Sequence, residues 1–427
     1  MRRALVRAID ARPHELGGAL AAFLTAFTMF SAYSILRPIR ETMGITSGVQ
    51  TLPALFWGTF VGMLAVQPVY GWLTARYRRS TFLPWVYLFF VLNLFGFHLW
   101  FNLQADHTWI ARAYFVWVSV FVLFVVAVFW SLMADVFTRE QAGRLFGFVA
   151  AGLSTGGLFG PFLGQQLAEP IGTINLLLVS AALLTASLGG LLLVLRWHRV
   201  HGENTVAGAD RDERLGGSAL AAFAQVARSP YLLLIALFVF LLTWVSTFLY
   251  LEQQAMVAER FTDRDTRTAF FARIDFWVQA GSLLIQFLLF GRLFRWLGFR
   301  ALIVSVPLLM TLGYAALALV PTFGVLIAVM MVRRIGEYSI TRPSRDTLYT
   351  TVTREERYKA KSLIDTFVYR GGDATAASVH ALVKGAFGLG VSGIAWFGAA
   401  LAAVWALVAW VLGTRHVRVS DPPRNGA

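Results

Sequence analysis

Twelve runs of apolar residues punctuate the chain, starting near residues 17, 52, 81, 111, 145, 171, 230, 268, 301, 322, 360 and 389. Each is about 20 residues long, the length an α-helix needs to cross the ~30 Å hydrocarbon core of a bilayer. The connections between them are mostly short. The one long polar segment, RWHRVHGENTVAGADRDERLGGS, begins at Arg196 and leaves six runs on each side. The pattern predicts an all-α membrane protein with twelve transmembrane helices. It also predicts six-helix bundles at 1–197 and 230–427, joined by a flexible cytoplasmic linker at 198–229.

Composition agrees with a bilayer protein: 57% hydrophobic residues, 14% charged and a mean hydropathy of +0.64 over 427 residues. A net charge of +14 could suggest nucleic acid, but its distribution argues otherwise. With the N-terminus inside, 24 of the 37 Lys and Arg residues fall on the cytoplasmic side and 6 opposite. By the positive-inside rule this bias puts both termini in the cytoplasm. The expected partners are therefore the lipid bilayer and its anionic headgroups, with no nucleic acid. The chain has no cysteine, which excludes disulfides, thiol nucleophiles and cysteine metal sites. Arg2, Arg3 and Arg7 precede an apolar stretch without a cleavage signal, so the first run is read as a retained span.

Seven arginines remain, and none fits a loop: Arg37, Arg273, Arg333, Arg334, Arg342, Arg345 and Arg370. A charge in hydrocarbon costs several kcal/mol unless it faces a partner or a wet cavity. In the tenth run, Arg333 and Glu337 are four residues apart, as are Arg342 and Asp346, so each pair can share a helix face; Pro343 is expected to break that helix. Counted from Thr322, Arg333 and Arg334 lie roughly 17 Å into their helix, near mid-bilayer. The eleventh run repeats the pattern with Lys361 and Asp365, then Arg370 and Asp373, beside Gly371 and Gly372. In the eighth run Arg273 and Asp275 point to different faces and are not expected to pair. Arg37, Arg40 and Glu41 fall near the expected outer end of the first run, where they contact a solute or snorkel to the headgroups.

Structural ion pairing between helices is the plain account of these charges. Six of the seven arginines, however, lie in the C-terminal half, where apolar packing would serve stability better. Guanidinium also favours planar recognition of phosphate and carboxylate. The candidate cavity cations are accordingly Arg37, Arg273, Arg333, Arg334 and Arg370. The candidate coupling or pairing acids are Asp275, Glu337, Asp365 and Asp373. No catalytic residue, metal site or cofactor is called for, and a monomer is taken as sufficient.

The two halves look alike. GWLTARYRRS at 71–80 matches GRLFRWLGFR at 291–300, and TREQ at 138–141 matches TREE at 353–356, at offsets of 220 and 215 residues. Both copies lie on the cytoplasmic side, as in parallel six-helix repeats. Gly71, Leu73, Arg76 and Arg79 resemble the major facilitator loop pattern G-x-L-x-D-R-x-G-R, with Ala75 in place of the acid. Gly147, Gly156, Gly160, Pro161 and Gly164 in the fifth run resemble the antiporter motif of that superfamily. Glycines four residues apart let a neighbouring helix approach closely, which suits a packing or hinge role, and the proline is expected to add a kink.

Over nearly its whole length the chain resembles bacterial proteins grouped with the ATP/ADP antiporters. The segments that carry the likeness are LRPIRE at 36–41, FWSLMADVFTREQAGRLFGF at 129–148, SRDTLYTTVTREE before residue 357 and YKAKSLIDTFVYRGGD at 358–373. The resemblance implies the major facilitator fold in a bacterial inner membrane and exchange of phosphorylated nucleotides. Two further readings stand beside a small-anion transporter. One is a proton-coupled exporter of amphiphilic molecules, with Glu337, Asp275 or Asp373 as proton site. The other is a membrane enzyme using the acid pairs Asp210–Asp212 or Asp263–Asp265, which sit in charged loops with no histidine cluster and read as chance. No G-x4-GK[ST] loop is present to power a pump.

Overall fold

A computed structural model describes residues 10–77, 79–201 and 219–420. Most of the expected linker, 202–218, lies outside the described residues, and with it the Asp210–Asp212 pair; Arg78 does too. Only α-helical, 3-10 and π-helical elements occur among the described residues. The N-terminal half contains α1 (Leu16–Thr46), α2 (Leu52–Arg76), α3 (Arg79–Leu103), α4 (Thr108–Val136), α5 (Arg139–Ile171) and α6 (Leu176–His201). A short helix, α7 (Ala219–Arg228), precedes α8 (Pro230–Arg260). Next come α9 (Arg264–Leu284), a π-helical turn at Ile285–Leu289 and α10 (Phe290–Leu319). The tenth pass is α11 (Phe323–Gly336), a π turn at Glu337–Thr341 and α12 (Arg342–Leu348). The eleventh is α13 (Arg354–Leu363), a π turn at Ile364–Val368 and α14 (Tyr369–Phe387), and α15 (Val391–Ser420) completes the fold.

Nine helical stretches among the described residues are long and apolar enough to cross a membrane. One of them, Arg264–Leu319, is 56 residues long, about twice a single crossing. Gly298 divides it, adopting φ 72°, a backbone that only glycine takes easily, so two passes meet there. The tenth and eleventh passes escape a hydropathy criterion because their charges dilute it. Twelve crossings result.

Boundaries depart from expectation where local chemistry decides. Thr138 and Thr353 each accept from the backbone N–H three residues on, and Gln141 and Glu356 reciprocate. These matching capping boxes start α5 and α13 six residues before the apolar runs begin. The sixth pass starts at Leu176 rather than 171, because Gly172 at φ 85° ends α5 first. The helix α1 continues to Thr46, so Arg37 and Glu41 lie well inside it and not at its end.

The chain forms two compact units. The first comprises the described residues within Met1–Gly48, Val61–Arg211 and Phe261–Phe276; the second, those within Val49–Phe60, Asp212–Arg260 and Trp277–Ala427. In the first, α1 is buried for most of its length and packs on α5 and α6. Ser180 and Ser187 of α6 donate to the Ala32 and Thr25 carbonyls, and the core fills with Tyr87, Tyr114, Phe121 and Phe129. In the second, α10 lies along α15. Tyr314 donates to the Val245 carbonyl at 2.5 Å and occupies the space a side chain at Gly398 would need. Trp405, Phe238 and Met310 complete that core.

Candidate functional site

The C-terminal unit gathers in-span charges on its tenth and eleventh passes, each interrupted by a π turn. Arg333 and Arg334 occupy the last turn of α11 and are buried, at 9% and 8% exposure. The Arg333 guanidinium donates to Glu337 Oε2 at 2.7 Å and to Ser246 Oγ of α8 at 2.7 Å. Tyr369 Oη donates to Glu337 Oε1 at 3.4 Å. Glu337 opens the π turn, and Pro343 follows it within α12. Pro343 therefore does not break the helix; the widened turn absorbs the missing N–H and the ring. Gln286 of the neighbouring π turn donates to the Tyr338 carbonyl at 2.8 Å. Arg342 is exposed, with its guanidinium 5.1 Å from the Tyr338 ring centroid.

The expected within-helix pairs Arg342/Asp346 and Lys361/Asp365 are replaced by pairs across helices. Lys361 reaches Asp346 at 2.8 Å, and Arg345 reaches Asp365 at 3.3 Å. Asp365 lies in the π turn that begins at Ile364, so the i,i+4 register from Lys361 is widened there, whereas Arg342 and Asp346 share the regular α12 and Asp346 is taken by Lys361 from the next pass. Arg370 and Asp373 do pair, at 3.4 Å, and Thr247 of α8 donates to Asp373 Oδ1 at 3.0 Å. The Arg370 guanidinium sits 5.3 Å from the Tyr369 ring. Close approach of α8 at this point requires Gly372, where a Cβ would overlap the Thr243 hydroxyl. The cluster holds six cations (Arg333, Arg334, Arg342, Arg345, Lys361 and Arg370) against four acids (Glu337, Asp346, Asp365 and Asp373), an excess of two positive charges.

The other two candidate cations lie in the N-terminal unit. Asp275 is buried, and the guanidinium of Arg37 approaches it to 3.7 Å, an ion pair longer than a hydrogen bond. Asp275 thus takes its partner from α1, as the two-residue spacing from Arg273 required. Arg273 itself is exposed and forms no ion pair among the described residues.

The fifth-helix glycines sort by geometry. A Cβ built at Gly156 would overlap the Phe27 carbonyl, and one at Gly160 would lie 2.5 Å from the Ser31 carbonyl. Gly152, absent from the motif, belongs to the same stripe, at 2.6 Å from the Phe23 carbonyl. Gly147 meets nothing within 4 Å, and a Cβ at Gly164 would stand at an ordinary-to-tight 3.3 Å from Ala272 Cβ. Carbonyls four residues apart on α1 face glycines four residues apart on α5, which is the geometry of close helix packing. The helix assignment runs unbroken through Pro161.

Sequence reasoning missed Ser246, Thr247, Gln286 and Tyr369. The first two were visible as a polar pair inside the apolar VFLLTWVSTFLY; the others gave no signal.

The family model for the Major Facilitator Superfamily matches residues 18–372. The chain belongs to the Major Facilitator Superfamily. It is therefore a multi-pass membrane transporter and not an enzyme, built from twelve helices in two six-helix repeats. A curated relative, ADP,ATP carrier protein 2 of Chlamydia pneumoniae, is 23% identical over 439 residues, covering 84% of this chain and 80% of its own. Among solved structures, the POT family transporter PepTSo superposes with a TM-score of 0.65 at 13% identity, covering 96% of this chain and 99% of its own. A bacterial homologue of the iron transporter ferroportin, in an inward-facing state, gives 0.65 at 14% identity, covering 96% and 99%. The nucleoside transporter NupG gives 0.61 at 14%, covering 96% and 100%. At these identities the superfamily likeness speaks for the fold.

Proposed function

We propose that this major facilitator protein moves a small organic anion, of the phosphorylated class to which nucleotides belong, by alternating access. One observation carries the proposal: a cluster of six cations (Arg333, Arg334, Arg342, Arg345, Lys361 and Arg370) and four acids (Glu337, Asp346, Asp365 and Asp373) gathers about the π turns of two transmembrane passes in the C-terminal unit. Holding such an excess within membrane passes is unfavourable unless an anion or water answers it. π turns recur at functional sites, where they re-aim side chains that a regular helix would point elsewhere. Guanidinium groups beside tyrosine rings, as at Arg342 and Arg370, suit a solute with both charge and a flat face. The chlamydial relative is by name an ADP,ATP carrier, which supports the nucleotide class. In this proposal Arg342 and Arg370 contact the solute, Arg333 and Arg334 set the local potential, and Glu337, Asp365 and Asp373 hold the cations apart until the solute arrives. Arg37, Arg273 and Asp275 serve the same transport from within the first unit. The bundles are 1–197 and 230–427, in the inner membrane of a bacterium, with both termini in the cytoplasm.

The test is a thermal-shift screen of the full chain in detergent against ATP, ADP, pyrophosphate, sugar phosphates and dicarboxylates. One phosphorylated class raises Tm on the native protein, and Arg370→Ala and Arg342→Ala abolish the rise. Exchange of labelled nucleotide in proteoliposomes then separates this function from export of an amphiphile, read by dye efflux. If no anion stabilises the native protein, the proposal is wrong.

A further inference from the structure

A second buried charged cluster lies between α8 and α14, two turns beyond the Arg370–Asp373 pair. Glu252 is 2% exposed and eight residues before Arg260, so it sits roughly 12 Å from that end of the helix. Its Oε1 accepts from Lys384 Nζ at 2.9 Å and is 2.8 Å from His380 Nε2, both on α14. His380 is 6% exposed, and its ring stands edge-on to Phe248 at 5.1 Å. Lys384, one turn on, is 40% exposed. Both donors fall on one carboxylate oxygen. The other, Oε2, is buried and has no hydrogen-bond partner among the described residues.

A tie between two helices needs only the Glu252–Lys384 pair, and it would be best served with both oxygens satisfied. Here a histidine is added to an oxygen already taken, and an anionic oxygen is left bare. We infer that Glu252 and His380, with Lys384 as the exposed cation at the mouth, form a proton-binding site. With Lys384 charged and His380 neutral the cluster carries no net charge; with one proton added, on the imidazole or the carboxyl, it carries +1. Whichever atom holds it, the proton belongs to the pair.

The surroundings leave the site electrically quiet. Other charges on α8 are Glu259 and Arg260 at its end. Charges on the elements packed against α8 and α14 are Arg370 and Asp373 on α14, Asp365 on the preceding π turn, Arg333 and Arg334 on α11 and Arg228 on α7; α15 brings Arg415, His416 and Arg418 only near its far end. Tyr314 of α10 reaches the α8 backbone between them. Asp373 lies seven residues before His380, two turns along the same face of α14 and roughly 10 Å away. Proton occupancy at Glu252–His380 is thus placed to bias the Thr247–Asp373–Arg370 group through α8 and α14. This rests on the transporter reading for what the proton drives, but not for its existence.

The experiment uses the full chain in detergent with no solute added. Tm is followed from pH 5 to 8.5 for the native protein, Glu252→Gln, His380→Gln and Lys384→Met. The native curve contains a proton-linked step that both Gln variants lose. In Lys384→Met the step moves to higher pH, because removing a cation favours proton binding. This third variant alters an exposed side chain and keeps the test decisive if the buried substitutions unfold. Variant curves that parallel the native one throughout would overturn the inference. Because no solute enters, that result would leave the anion proposal standing.

Discussion

Breaking the Arg333–Glu337 pair singly or doubly gives a sharp test of how the tenth pass is held. Both side chains are about 10% exposed and meet at 2.7 Å, with Ser246 and Tyr369 as further partners. At an effective dielectric of about 20, their gross attraction is roughly 6 kcal/mol. Most of that only offsets desolvation, so the net value of the pair is small. Removing one partner leaves the other buried and unanswered, and costs about 3–5 kcal/mol. Glu337→Gln leaves Arg333 with Ser246 and the Met330 sulfur but no close carboxylate, and Arg333→Met leaves Glu337 with the Tyr369 hydroxyl and the longer-range charges of Arg342 and Arg345. The double variant removes both charges and restores much of the loss. In a double-mutant cycle read by unfolding in mixed micelles, we expect each single variant to lose about 3 kcal/mol or more and the coupling to be about 2 kcal/mol or more. Losses that add to within ~0.5 kcal/mol would refute the pair as a coupled buried unit.

Three further outcomes follow from the packing and the caps. Gly156→Leu drives a side chain into the Phe27 backbone and, beyond the usual 1–3 kcal/mol of overpacking, prevents α5 from seating; Gly147→Ala is neutral or mildly stabilising, as gel filtration and Tm report. Glu15, which precedes α1, is fully buried. Burial alone would raise its pKa, but Arg144, the Arg12 N–H and Gln141 together bring it to about 2 from 4.5. Its stabilising contribution is therefore complete above about pH 4.5 and is lost as pH falls toward 2; Glu15→Gln removes that acid-side slope in Tm. Gln286→Leu leaves the Tyr338 carbonyl without its donor, costs about 1 kcal/mol and speeds hydrogen exchange across Glu337–Thr341 more than across α15.

How much of this was legible beforehand depended on whether a feature is local. The crossings follow from apolar length, and Arg333–Glu337 and Arg370–Asp373 follow from helical spacing. The TREQ and TREE segments carried their capping boxes in plain view as threonine followed three residues later by Gln or Glu. What stayed hidden is tertiary. The π turns carry no distinctive composition, yet the one at Ile364–Val368 shifts Asp365 out of register with Lys361, and Asp346 changes partner because Lys361 reaches it from another helix. Arg37 meets Asp275 across more than two hundred residues, and Glu252 meets His380 across more than a hundred. Gly152 lay outside a motif whose spacing began at Gly147, although only the carbonyls of α1 decide which glycines matter.

The central claim is that the arginines on the interrupted passes look onto water and take an anion. The chain contains no cysteine, so Arg342→Cys supplies a single thiol without background. Its labelling by a water-soluble, charged maleimide in intact membranes measures the claim directly. The account predicts ready labelling, slowed by ATP or by whichever phosphorylated solute raises Tm. Labelling only by a lipid-soluble reagent, unaffected by any anion, would place position 342 against the acyl chains and contradict it.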